Sequence, residues 1–267
     1  MADRIGASAS DKTFAVLEAL VEQSRLTDIA AAAKLPKATV HRILQVMVER
    51  GLARPGGNGD YFTGPRMLAL AGRVMHRLDL PARVRPELEE LQRRTGRTVH
   101  LALLHGDEAV YVAKVEAGKP YQLASRVGMS LDLHSTSIGK AVLASMDDDR
   151  VAALAGRTGL RRHTPETIVE VEPLLAELAT VRTRGWAEDH EENEPGVCAA
   201  GAAVYDHTGH VIGGVSAAAL RYEAADQPTE EVGRQVVEAA GRVSRALGAR
   251  AAPGPPGAVG PRPGGGG

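Results

Sequence analysis

The stretch LTDIAAAAKLPKATVHRILQVMVERGL, residues 26–52, is the one that best predicts the fold of the first part of the chain. Thr27 is suited to cap a short alanine-rich helix that runs to Ala33. Pro36 needs no N–H partner and stands where a second helix begins. In that second helix four apolar residues share the i, i+3, i+4, i+7 spacing of one buried face: Val40, Ile43, Leu44 and Met47. The pattern predicts a helix-turn-helix.

The residues outside this buried face are polar or basic. A helix that starts with Pro-Lys-Ala-Thr presents a cationic, hydrogen-bonding N-terminus, and major-groove recognition helices contact bases with this first stretch. The sequence therefore predicts a DNA-binding helix whose contacts come from Lys37, Ala38, Thr39, His41, Arg42 and Gln45.

Two short extended runs follow the second helix. Residues 52–54 and 61–63 flank the turn PGGNGD at 55–60, a composition typical of a hairpin. We interpret this hairpin as the wing of a winged helix-turn-helix and add Arg54 to the predicted DNA contacts.

Charge supports a nucleic-acid partner for this region alone. From Lys34 to Arg54 there are five basic residues and one acidic residue, a local balance of +4 on a chain whose net charge is −1. The rest of the chain beyond residue 80 carries 21 basic and 25 acidic residues. Two alternatives stay open: a three-helix bundle whose basic residues are only solvated, and a non-specific electrostatic DNA-binding protein, whose affinity would fall steeply with salt.

Length and composition describe an ordinary globular protein of two domains. The chain has 267 residues, of which 43% are hydrophobic and 24% charged. The sequence contains neither a continuous apolar run long enough for a membrane span nor the apolar core of a signal peptide, so we expect a cytoplasmic protein. The single cysteine, Cys198, excludes an internal disulfide and a cysteine-rich zinc site, and we predict no metal and no cofactor.

Composition and periodicity also predict the domain boundaries. We expect disordered ends at 1–10 and at the Pro/Gly-rich 251–267, a winged helix-turn-helix at 11–64, a linker helix at 65–80 and a second domain at 81–250. In the second domain, strands are predicted at 98–104, 109–115, 121–127, 186–188, 198–205 and 211–218, and helices at 83–94, 135–145, 147–154, 173–184 and 229–249. A mixed antiparallel sheet with flanking helices belongs to the α+β class.

Four stretches, in this order, resemble the IclR family of transcriptional regulators. They are LPKATVHRILQVMVERGL at 35–52, YFTGPRMLAL at 61–70, LHSTSIGKAVLA at 133–144 and RGWAEDHEENEPGVCAAGAAVYDHTGHVIGGVSAA at 184–218. The resemblance implies a winged helix, a connecting helix and a GAF-like effector domain. It also implies a homodimer or homotetramer that acts as repressor or activator on a near-palindromic DNA operator. A small organic effector, frequently a carboxylic acid, controls DNA binding in this family.

The resemblance further implies which residues line the effector pocket: Leu133, Ser137, Ile138, Gly139, Asp189, Ala199 and Ser216. Amides at a helix N-terminus near Ser137 suit a carboxylate, although Ser135 and Thr136 have the alternative role of helix caps. Where the family often has Arg-Cys, this chain has Cys198-Ala199, and where some members have Ser-x-Ser it ends in Ala218. Smaller side chains favour a roomier, less polar pocket for a larger or more apolar effector, or the loss of an effector altogether.

An enzymatic function is disfavoured. The run of residues 189–192 contains His, Asp and Glu, but no metalloprotease, nucleophile-elbow or phosphate-loop motif accompanies it, and an acidic run before Pro195-Gly196 is typical of a solvated loop. Three functional classes remain, in order of preference. They are a ligand-responsive transcription factor, a constitutive DNA-binding protein whose effector fold serves dimerisation, and a small-molecule enzyme with an attached DNA-binding domain.

Overall fold

The computed structural model describes residues 8–78, 80–224 and 227–249. The chain divides into two compact units, Met1–Asp79 and Leu80–Gly267. Most of the two predicted disordered ends lies outside the described residues. Residues 8–10 differ from that prediction, because Ser8 and Asp11 form a reciprocal capping box that starts the first helix at Ala9.

Three helices form the body of the first unit. They are α1 (Ala9–Glu22), α2 (Leu26–Ala32) and α3 (Lys37–Glu49). Their apolar faces meet in one core that includes Val16, Leu20, Ile29, Val40, Leu44 and Met47. The predicted cap at Thr27 is wrong: Thr27 lies inside α2 and its hydroxyl donates to the Asp28 carboxylate. A bridge between Arg25 and Asp60 holds residue 25 in extended conformation, so α2 begins one residue after it.

A hairpin and a further helix complete this unit. Strands β1 (Ala53–Pro55) and β2 (Tyr61–Thr63) pair antiparallel, with a single 3-10 turn at Gly57–Gly59 between them. Tyr61 is buried in the core of the three helices, which fixes the hairpin to the helix-turn-helix. Helix α4 (Pro65–Leu78) occupies the predicted linker-helix region and lies in the first unit.

The second unit is a six-stranded antiparallel sheet with helices. Along the chain its elements are α5 (Leu80–Thr95), β3 (Thr98–His105), β4 (Glu108–Val115), β5 (Ser130–Leu131), α6 (Ser137–Ala144), α7 (Asp148–Thr158), α8 (Val171–Arg184), β6 (Ala187–His190), β7 (Val197–Tyr205), β8 (Val211–Leu220), α9 (Arg221–Ala224) and α10 (Thr229–Ala246). The strand order is β5-β4-β3-β8-β7-β6. The α+β class is confirmed.

Two hydrophobic clusters lie on opposite faces of the sheet. One packs α5 and α10 against alternate side chains of the central strands, among them Val99, Leu101, Ala217 and Val215. The other packs α6, α7 and α8 against the opposite side chains and includes Ile138, Leu143, Leu154, Leu174 and Leu178. Helix α6, which carries three of the predicted effector residues, therefore lies directly on this second face of the sheet.

The predicted strand at 121–127 is wrong. Among the described residues, the strand that pairs with β4 on this side of the sheet is Ser130–Leu131, and backbone hydrogen bonds between Tyr111 and both Gly128 and Met129 extend this contact. The carbonyl groups of Leu123 and Ser125 accept hydrogen bonds from Lys114 Nζ at 3.0 and 2.8 Å. A lysine side chain thus satisfies backbone groups that a strand partner would otherwise bind, and the apolar alternation that suggested a strand reflects the burial of Leu123 and the partial burial of Tyr121 in one small cluster.

Candidate DNA-contacting surface and effector cavity

The exposed face of α3 carries the predicted DNA contacts. Lys37, Ala38, His41, Arg42 and Gln45 are exposed, and Thr39 is half-buried. Helix α3 has no acidic residue in its first turn and Pro36 precedes it without a side-chain cap. Among the described residues nothing accepts the amides of Lys37 and Ala38, so the helix presents free N–H groups and a cationic side chain at one end. Such an end suits a phosphate or a base edge.

The wing is tied to this helix. Gln45 Nε2 donates to the Tyr61 hydroxyl at 3.1 Å, and the His41 ring lies edge-on to Tyr61. Arg54 is exposed on β1, with its guanidinium 4.8 Å from the centre of the Phe62 ring. Helix α3 and the hairpin therefore present their polar groups as one fixed surface.

The start of α6 forms one wall of a cavity on the sheet. Thr136 caps the helix, because its hydroxyl accepts the amide of Gly139 at 3.1 Å. The amides of Ser137 and Ile138 have no acceptor among the described residues. A Cβ on Gly201 would lie 2.6 Å from the carbonyl carbon of Ser137, so only glycine in β7 allows this helix end to approach so closely.

The cavity itself has a volume of about 50 Å³. It is lined by His100, Tyr111, Leu123, Ser125, Thr136, Ser137, Ile138, Asp189, Asn193, Glu194, Val197, Ala199, Ser216 and Ala218. Five predicted effector residues are in this set: Ser137, Ile138, Asp189, Ala199 and Ser216. The structure brings them together from α6 and three different strands.

The other two predicted effector residues lie elsewhere. Leu133 lines a separate cavity of about 330 Å³. Gly139 is not among the lining residues, and a Cβ there would lie 2.3 Å from the Cα of Leu133. These two residues thus contact each other in the packing of α6 rather than facing the cavity.

The prediction of a roomier, less polar pocket compares this chain with other proteins, and it stays a prediction. Strands β3 and β4 add His100 and Tyr111, with their ring centres 5.0 Å apart, to the wall that also contains the small residues Ala199 and Ala218. His100 Nε2 lies 2.8 Å from Ser125 Oγ and its Nδ1 lies 3.5 Å from Ser216 Oγ. Burial, with Lys114 nearby, lowers the pKa of His100 to about 3, so this ring is neutral. The cavity is small and polar.

His100 and Tyr111 were missed because nothing local marks them. His100 faces Ser216 only through the β3–β8 register, which pairs the two residues directly. That register joins positions 116 residues apart. A sequence pattern has no access to such a pairing, although the alternation of β3 does place His100 on one face.

Asp189 is the buried acid of the cavity. Its Oδ1 accepts the amides of Glu192 at 2.9 Å and Asn193 at 3.4 Å. Burial raises the pKa of Asp189 to about 7, with the Glu192 carboxylate acting in the same direction and the two amides opposing. No lysine or arginine of the described chain lines this cavity, so a bound anion would rely on helix amides and neutral hydrogen-bond donors.

An outer chamber of about 400 Å³ adjoins the cavity. The two share Tyr111, Ser125, Asn193 and Glu194, which therefore separate the inner space from the outer one. Arg161 and His163 line the outer chamber, and the His163 ring pairs with the Asp132 carboxylate at 2.6 Å.

The acidic run at 189–192 has structural partners. Glu191 pairs with Arg221 and accepts the amide of Gly196, while Glu192 pairs with Lys140. Across residues 8–78, 80–224 and 227–249, no three His, Cys, Asp or Glu side chains are grouped to hold a metal ion. Within the same ranges, no helix has the length and hydrophobicity to span a bilayer.

Known proteins match both units. The family described as bacterial transcriptional regulator IclR C-terminal matches residues 72–245, and the IclR helix-turn-helix domain matches residues 9–56. The chain is 33% identical over 243 residues to the transcriptional regulator XynR of Escherichia coli, across 89% of this chain and 96% of that protein. It is 32% identical over 240 residues to KdgR of the same organism, across 89% and 91%. These relatives are regulators and not enzymes.

Solved structures agree with these relatives. The Thermotoga maritima IclR superimposes with a TM-score of 0.70 at 30% identity, over 90% of this chain and 98% of that one. An IclR homologue from Microbacterium hydrocarbonoxydans, complexed with 4-hydroxybenzoate, gives a TM-score of 0.76 at 25% identity, over 90% and 99%. The chain belongs to the IclR family of DNA-binding transcriptional regulators, whose C-terminal domain binds an effector.

Proposed function

We propose that this protein is a cytoplasmic, ligand-responsive regulator that binds a near-palindromic operator as a homodimer or homotetramer. A small carboxylic acid held in the cavity beside α6 changes its affinity for DNA. The observation that carries this proposal is the division of chemistry between the two units. The first exposes a basic helix face, whereas the second encloses a polar cavity that has free helix amides.

The DNA part of the proposal rests on the α3 surface. Two such helices on a symmetric dimer would enter successive major grooves about 34 Å apart. Lys37 and Arg42 would supply the principal contacts, with Ala38, Thr39, His41 and Gln45 beside them and Arg54 on the wing. Because Gln45 already donates to Tyr61, we expect it to contribute less than Arg42.

The effector part rests on the donors of the inner cavity. The amides of Ser137 and Ile138 suit a carboxylate, and a protonated Asp189 is a further donor that does not repel an anion. A relative of similar fold binds 4-hydroxybenzoate, which is also a monocarboxylate. The inner volume of about 50 Å³ favours a short, hydrophilic acid or the carboxylate end of a longer one that extends past Tyr111 into the outer chamber.

The test has two parts. Genomic DNA fragments selected by the full-length protein at near-physiological salt should converge on a few roughly two-fold symmetric sites. A thermal-shift screen of small carboxylic acids should then find short hydrophilic acids that stabilise the protein more than bulky apolar ones do. Uniform recovery of fragments would instead indicate non-specific binding, and operator binding that no acid changes would favour the constitutive alternative. Turnover of a bound acid would indicate the enzyme.

A further inference from the structure

A fully buried lysine stands one helical turn beyond the amides of the effector cavity. The side chain of Lys140 in α6 is 1% exposed, and its Nζ lies 2.5 Å from Glu192 Oε1 and 3.8 Å from Glu177 Oε1. Lys140 is not among the residues that line the inner cavity. A charged pair in the interior is expensive in free energy, and an apolar pair of similar volume is often as stable or more stable. Stability alone therefore does not explain why this pair lies here.

Glu192 belongs to a turn that carries part of the cavity wall. Its amide donates to Asp189 Oδ1, and the next two residues, Asn193 and Glu194, line the cavity. This turn follows strand β6 and precedes β7, so its backbone lies outside the strand pairing of the sheet. Backbone hydrogen bonds join Glu191 and Glu194 to Val197, and side chains from other elements also reach the turn.

Side chains from several other elements hold the turn. The Thr167 hydroxyl donates to the Glu192 carbonyl at 2.6 Å, and the Thr164 hydroxyl donates to the Glu191 carbonyl at 2.7 Å. Ser135 Oγ donates to Asn193 Oδ1 at 3.1 Å. Lys140 supplies a further tie, the buried ion pair with Glu192, while the exposed Arg221 pairs with Glu191 at the start of the turn. Because Lys140 and Ser137 lie on the same helix, this tie links the turn to the helix end that supplies the free amides.

We propose that the Lys140–Glu192 ion pair is a positioning element of the effector site, which holds the turn of residues 191–194 so that Asp189, Asn193 and Glu194 face the amides of α6. This inference rests on the proposed function, in which that cavity is the effector site. Lys140 acts through Glu192 and is a positioning residue, not a contact of the effector. Glu192 Oε2 is buried and accepts no hydrogen bond from any described residue, so the pair satisfies one oxygen of the carboxylate and leaves the other without a partner. The Glu192 carboxylate is therefore held at Oε1, by Lys140 and by a long hydrogen bond from the His190 amide at 3.5 Å.

The test compares local opening with global stability in the full-length protein. The double variant Lys140→Met/Glu192→Gln removes both charges at nearly constant volume, and hydrogen exchange is followed by mass spectrometry. We expect amides of residues 190–196 to exchange about tenfold faster than in the parent, while amides of β7 and β8 and the unfolding midpoint stay close to the parent values. Glu177→Gln is the matched control, because Glu177 also contacts Lys140 but lies in α8, away from the turn.

Equal exchange of residues 190–196 in the double variant and the parent would overturn the proposal. So would a rise shared equally by the turn and the central strands, since that would show a general loss of stability. Should the double variant fail to fold, Glu192→Gln alone retains a possible acceptor for Lys140 and should give a smaller, local rise in exchange. Exchange is read without DNA or acid, so its outcome is independent of the operator and acid tests of the proposed function.

Discussion

The two units of this protein build their candidate sites in opposite ways. The DNA-contacting surface comes almost wholly from one helix, α3, whose exposed residues follow one another within nine positions. The effector cavity draws residues from α6, from strands β3, β4, β6, β7 and β8, and from two turns. The residues of a surface on one helix follow from the local periodicity of the sequence. The residues of a cavity between elements depend instead on strand register and on how closely the elements approach one another. Substitutions that remove charge should therefore impair the first site, and substitutions that disturb packing should impair the second.

The largest expected effect is on operator binding. Lys37→Ala/Arg42→Ala removes a helix-end cation and a guanidinium that we propose enters the major groove, each worth about 1–3 kcal/mol. Operator affinity, measured by fluorescence anisotropy on a selected site, should fall by about a hundredfold or more. Arg93→Ala, which removes an exposed arginine of α5 in the other unit, is the charge control and should change affinity little. Parent-like affinity in the double variant would show that α3 is not the recognition helix.

A substitution that disturbs packing beside the cavity should lower the stability of the second unit without changing its charge. Gly201→Val places side-chain atoms against Ser137 and should destabilise the second unit by about 1–3 kcal/mol. The protein has one tryptophan, Trp186, which is buried in the second unit, so its fluorescence during urea unfolding follows that unit alone. Gly156→Ala in α7 is the control, because its new Cβ meets no atom within 4 Å. Equal unfolding midpoints for Gly201→Val and the parent would contradict the close approach of α6.

The buried acid Asp189 should make the stability of the second unit depend on pH. Burial raises the pKa of Asp189 to about 7, above its usual value of 3.8, so the native protein holds a proton that the unfolded chain releases. This contribution makes the second unit lose stability as pH rises from about 4 to about 7. Asp189→Asn should flatten the pH dependence of the urea midpoint and should exceed the parent in stability most clearly above pH 7. An unchanged slope would mean that Asp189 is ionised in the native protein throughout this range.

The smallest expected effect concerns the proposed dimer. Helix α4 exposes Leu68 and Leu70 at 70% and 42%, which is unusual for two leucines of one helix. If they meet a second copy of the chain, Leu70→Asp should weaken the dimer by about tenfold in light scattering across a dilution series. Val127→Asp, at a similarly exposed apolar position of the second unit, is the control. A dimer of parent strength in the Leu70→Asp variant would remove α4 from the interface.

The sequence predicted the elements that local periodicity determines better than those that depend on residues far along the chain. The apolar spacing from Val40 to Met47 predicted α3 and its exposed face, because a helix repeats within a few residues. The cap at Thr27 failed because a distant partner of Arg25, Asp60, sets where α2 begins. The strand at 121–127 failed because Lys114, in a different element, binds its backbone carbonyls.

The cavity was predicted in part. Resemblance to a family supplied Ser137, Ile138 and Asp189, but not the volume of the space around them. That volume depends on His100 and Tyr111, which reach the cavity through the pairing of β3 with β8 and β4. The small residues Ala199 and Ala218 therefore do not by themselves determine the size or the polarity of the pocket.

We propose that an acid bound in the second unit alters the DNA affinity of the first. The most direct test is anisotropy of a labelled operator titrated with a panel of small carboxylic acids, 4-hydroxybenzoate among them, for the parent and for Gly201→Val. We predict that at least one acid changes the parent's operator affinity by about tenfold, a coupling of ordinary size, and that this response is lost in Gly201→Val. Operator affinity in the parent that no acid changes, or a full response in Gly201→Val, would contradict the account.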